Sequence, residues 1–121
     1  LDRDVSDLQS VRLSLQLKLL HQSLSGGGWL GSEYPLAVRL RYRDATGSET
    51  TWVHGFYFQN DEGRPTTHGQ QVERDTWVSF TADLFNPNQV YPRPAHLLWL
   101  EIEASGWEYE SMVTGIQLIG E

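Results

Sequence analysis

Residues 11–19 and 36–58 alternate apolar and polar side chains almost without error, a two-residue period that gives a β-strand one dry face and one wet face. In the first run Val11, Leu13, Leu15, Leu17 and Leu19 share one side, and Arg12, Ser14, Gln16 and Lys18 share the other. The second run is interrupted by Asp44-Ala45-Thr46-Gly47-Ser48, a turn-forming string that marks a hairpin. Facing Arg43 with Glu49 across this turn pairs Arg41 with Thr51, Leu40 with Trp52, Val38 with His54 and Leu36 with Phe56. The core face then holds Leu36, Val38, Leu40, Tyr42, Trp52, His54 and Phe56. The decorated face holds Ala37, Arg39, Arg41, Arg43, Glu49, Thr51, Val53, Gly55 and Tyr57.

Further strands are expected at Thr76–Leu84, His96–Ala104 and Ser111–Ile119. In the second of these Leu98, Leu100 and Ile102 form the inward set, and Leu97, Trp99, Glu101 and Glu103 the outward set. In the last, Met112, Thr114, Ile116 and Leu118 oppose Val113, Gly115, Gln117 and Ile119, so its faces are less distinct. The intervening segments 23–35, 59–75, 85–95 and 105–110 are rich in Gly, Pro, Asn or Asp and read as loops. No segment sustains a helical period. Five to eight strands over 121 residues therefore predict one all-β domain spanning residues 1–121, an antiparallel β-sandwich with jelly-roll-like topology. The chain opens on Leu1 rather than Met, and we expect a module excised from a longer polypeptide.

Sixteen acidic against nine basic residues leave a net charge of -7, which repels phosphate backbones and anionic lipid surfaces. Nucleic acid is disfavoured as a partner, and no apolar run approaches the length needed for membrane insertion. The absence of cysteine excludes disulfides, thiolate metal sites and Cys nucleophiles.

Two aromatic loops draw attention. Gly26-Gly27-Gly28-Trp29-Leu30-Gly31-Ser32-Glu33-Tyr34-Pro35 lacks the Lys-Ser or Lys-Thr and the following helix of a phosphate loop. Trp29 and Tyr34 can instead form a platform for a sugar ring while Glu33 accepts hydroxyl hydrogen bonds, or the loop can fold back and seal the sandwich edge. Ser105-Gly106-Trp107-Glu108-Tyr109-Glu110 repeats the theme, with the same choice between ligand contact and capping the core. If the loops meet, Trp29, Tyr34, Trp107 and Tyr109 line one cleft with Glu33 and Glu108 beside them. An alternative surface lies on the decorated face, where Arg39, Arg41, Tyr57, Trp99, Glu101 and Glu103 stand together. There Arg and Glu on adjacent strands can also simply form solvated cross-strand pairs.

Catalytic signals are lacking. His21, His54, His68 and His96 have no metal-ligand spacing, and His54 reads as a hydrogen-bonded core histidine. Asp2, Asp4 and Asp7 have the oxygen-ligand chemistry of a structural calcium site but not the central Gly and terminal Glu of a calcium loop. Glu101 and Glu103 point the same way from one strand, without the opposed partner that glycoside hydrolysis needs, and no Gly-x-Ser-x-Gly elbow occurs.

The ending Trp107-Glu108-Tyr109-Glu110-Ser111-Met112-Val113-Thr114-Gly115-Ile116-Gln117-Leu118 is similar to that of galactose-binding-like jelly rolls and many non-catalytic carbohydrate-binding modules. The blocks Gly31–Leu36, Trp52–Tyr57 and Ser105–Ser111 also resemble C-terminal modules of bacterial envelope proteins, some carrying iron-dicitrate-regulator-type domains. The resemblance implies a non-enzymatic, extracytoplasmic glycan-binding module without a cofactor. The rival expectation is a cell-surface assembly module whose outward aromatics contact another protein domain.

Overall fold

The computed structural model describes residues 2–22, 25–28, 31, 33–64, 66–103 and 110–121, and these form strands and loops without a helix. The strands are β1 (Arg3–Asp4), β2 (Val11–His21), β3 (Leu36–Asp44), β4 (Glu49–Tyr57), β5 (Gly69–Gln71), β6 (Val78–Asp83), β7 (Pro94–Glu103) and β8 (Glu110–Gly120). A five-stranded sheet, ordered β1-β7-β3-β4-β5, packs on a three-stranded sheet, ordered β6-β2-β8. The protein is an all-β sandwich. Among the described residues every strand pairing is antiparallel except β4–β5, which is parallel.

The alternation of β2 is fulfilled: Val11, Leu13, Leu15, Leu17 and Leu19 are buried in the core, each contributing about 1.5–3 kcal/mol by leaving water. Leu36, Val38, Leu40 and Tyr42 of β3 and Trp52 and Phe56 of β4 face them. The β3–β4 register is the expected one along its whole length, from Leu36↔Phe56 to Arg43↔Glu49. Its turn holds because the Asp44 carboxylate accepts hydrogen bonds from the Thr46 and Ser48 amides and the Thr46 hydroxyl, while Gly47 supplies a φ of 86°.

Two bulges overturn the expected parity elsewhere. Between Leu97 and Trp99 the β7 ladder slips one residue against β3, so Tyr42 faces Leu97 and Arg41 faces Trp99. Leu97 is therefore a core residue at 2% exposure, not an outward one, and Leu98 is the inserted residue. In β8, two residues oppose Leu15, and Gly115 adopts a φ of 62°. Leu118 consequently pairs with Leu13 and Val113 with Leu17, while Met112, Thr114, Gln117 and Ile119 share the wet face of β2.

His54 lies half-buried on the core face, 4.6 Å from the Phe80 ring, and its Nε2 is 3.0 Å from Gln70 Oε1. Burial pushes the imidazole below its ordinary value, against the upward pull of the Gln70 hydrogen bond, and electrostatic repulsion from His68 lowers it further. A folded-state value below the unfolded one means that the unfolded chain binds the proton more readily. The His54 contribution is thus complete above about pH 6.5 and is lost as pH falls below it. Urea midpoints measured between pH 8 and pH 5 are expected to fall, with a shallower decline in His54→Phe.

Candidate functional site

Tyr34 is not on the surface. Its side chain is completely buried against the outer side of the five-stranded sheet, across Gly55 of β4 and Gly69 of β5, where any added Cβ would collide with the ring. The phenol lies 2.7 Å from the Thr67 carbonyl and 3.2 Å from that of Gly31, and the ring stacks on half-buried Tyr57 at 6.2 Å. Desolvation pushes the Tyr34 hydroxyl up to about 12, so it remains a donor. Gln22 fastens the start of the same loop, with its amide donating to the Gly26 and Gln59 carbonyls and its oxygen accepting from the Phe58 amide. Glu33 is half-buried and folds back over Gly28. The other expected cleft residues, Trp29, Trp107, Glu108 and Tyr109, lie outside the described residues.

The alternative surface is largely an ion-pair lattice. Arg39 Nη2 is 2.7 Å from Glu103, Arg41 Nε is 3.8 Å from Glu49, and Arg41 also donates to the Thr51 hydroxyl at 2.9 Å. Burial raises the Glu103 carboxyl, a hydrogen bond with Glu101 raises it further, and Arg39 opposes both. Such pairs, open to solvent, each contribute at most about 1 kcal/mol. Trp99, opposite Arg41 in register, remains 40% exposed.

The outer face of the three-stranded sheet carries a recess that sequence reasoning missed. It is open to solvent, measures about 300 Å³ and is lined by Ser14, Gln16, Ser79, Thr81, Gln117 and the bare backbone of Gly115, together with Leu15 and Phe80, whose side chains pack in the core. The β8 bulge contributes to it directly, because Gly115 has nothing within 4 Å of the place where a Cβ would project. Register arranges this face in rows across the strands: Ser79, Gln16 and Thr114, then Thr81, Ser14 and Gln117. At one end Lys18 pairs with Met112, and Trp77 directly precedes β6, whose ladder with β2 ends at Leu17↔Val78. Trp77 is 46% exposed. The signal was present in residues 77–84, where Trp77 shares its parity with Ser79, Thr81 and Asp83 rather than with Val78, Phe80 and Ala82.

The recess offers neutral hydroxyl and amide groups able to donate and accept, but its lining holds no acid, base or activated nucleophile. Nor do the N-terminal acids assemble a calcium site. Asp2 contacts His96, which with its hydrogen bond holds the carboxyl below its usual range, and Asp4 accepts from the Ser6 amide and hydroxyl. Among the described residues no group of three His, Asp or Glu side chains is arranged to hold a metal ion. No family model, no curated protein and no solved structure matches the chain.

Proposed function

We propose that the domain is a non-catalytic glycan-binding module of an extracytoplasmic protein, and that the wet face of β6-β2-β8 is its binding surface. The observation that carries this reading is the 300 Å³ recess lined by Ser14, Gln16, Ser79, Thr81 and Gln117 in the same face as exposed Trp77. Sugars combine C–H faces that pack on aromatic rings with hydroxyls that both donate and accept, and these groups supply both halves. The volume is at the small end for ligand sites, which suits a short stretch of sugar. Stacking plus a few solvated hydrogen bonds predicts millimolar to micromolar dissociation constants, about -4 to -8 kcal/mol.

A panel of soluble oligosaccharides titrated calorimetrically against the domain tests this. Binding is expected without turnover, and Trp77→Ala is expected to abolish it with the denaturation midpoint unchanged. Absence of binding across the panel, or equal affinity in Trp77→Ala, overturns the reading. The assembly alternative draws on exposed Trp99 of the other sheet. It is favoured if light scattering shows a concentration-dependent mass that Trp99→Ser removes.

A further inference from the structure

Resting on the glycan reading, we infer that the ligand is an acidic glycan whose hexuronate ring stacks on Trp77 and whose carboxylate is held by Lys18. Trp77 directly precedes Val78, the residue paired with Leu17, and the Asp75 amide donates to the Leu19 carbonyl at 2.9 Å, so the segment that carries Trp77 runs alongside Lys18. A ring stacked on the indole therefore has an exocyclic group within reach of the ammonium. Among the described residues Lys18 makes no ion pair.

The acidic surplus of the chain is not concentrated here. The four rows of this face, from Lys18-Met112 to Asp83-Arg12-Ile119, hold two cations and one carboxylate. That carboxylate, Asp83, accepts the Phe85 amide. Beyond the Trp77 end, Asp75 sits 3.8 Å from Arg74, and Glu110 is opposite His21 on the strand farthest from the indole. Arg12 is also outside any ion pair among the described residues, six positions along β2 from Lys18 and about 20 Å away. Arg12 faces the Asp83 carboxylate in register whereas Lys18 faces Met112, so a linear polyuronate laid along β2 meets its positive group at the Lys18 end and neutral donors beyond it.

The test compares one backbone in two charge states: a hexuronate tetramer and its full methyl ester, titrated at low and high salt. The acid is expected to bind about tenfold more tightly than the ester, as one charge-assisted hydrogen bond allows. Added salt should weaken the acid only. Lys18→Gln is expected to erase the difference and Lys18→Arg to restore it, while Trp77→Ala removes binding of both. Equal affinity for acid and ester, or a difference that survives in Lys18→Gln, overturns the inference and leaves the glycan reading standing. Failure of every oligosaccharide to bind, neutral or acidic, overturns both.

Discussion

Tyr34→Ala is expected to lower the unfolding free energy by about 3–5 kcal/mol, the cost of emptying a fully enclosed aromatic site. The ring has no exposed atom surface to speak of and sits where Gly55 and Gly69 leave room for it, so neither strand can collapse inward to fill the vacancy. Tyr34→Phe isolates the hydroxyl. Its loss leaves the Thr67 carbonyl without this donor and is expected to cost about 1 kcal/mol. Gly55→Val should approach the alanine variant in severity, because its side chain and the Tyr34 ring require the same volume. Chemical denaturation of the three variants measures this order. A Tyr34→Ala domain with an unchanged midpoint would mean that the loop is not anchored as described.

The same residue shows why the fold was more legible than the site. A period of two is a local signal, and it carried β2 and the β3–β4 register from Leu36↔Phe56 to Arg43↔Glu49 without error, because both strands bury one face and a one-residue slip would exchange the faces. Bulges break that inference. Nothing in Leu97-Leu98-Trp99 announces which leucine is the inserted one, and the choice is made by packing of Leu97 beside Tyr42. Gly115 was a better clue, since an isolated glycine in a strand often marks a bulge, and its parity change moves Leu118 and Val113 to the core side. The environment of Tyr34 comes from glycines twenty and more positions away, which its sequence neighbours do not reveal. Short β5 pairs in parallel with β4, a contact that no adjacent turn encodes. The outward parity of Trp77 is legible in residues 77–84, whereas its place at the end of the recess depends on the pairing of β6 with β2.

Trp52→Ala should match the loss in Tyr34→Ala, about 3–5 kcal/mol, yet differ from it in what else changes. Trp52 is 6% exposed on the core face of β4, with its ring 6.0 Å from His54 and 6.4 Å from Phe80. Phe80 also packs edge-on against Phe56 at 5.1 Å, so this cluster is what seats β6 on the five-stranded sheet. The wet side of β6 carries Ser79 and Thr81, which flank Phe80 along the strand and line the recess. A cavity under Phe80 therefore lets β6 move relative to β2 and spreads the hydroxyls that line the recess. Tyr34, by contrast, lies against Gly55 and Gly69 on the outer side of the opposite sheet, whereas the recess is lined by β2, β6 and β8. At a temperature where both variants remain folded, oligosaccharide affinity is expected to weaken in Trp52→Ala and to persist in Tyr34→Ala. Equal loss in both would place the binding surface at the Tyr34 end of the molecule, and an unaltered midpoint in Trp52→Ala would contradict the burial of its indole.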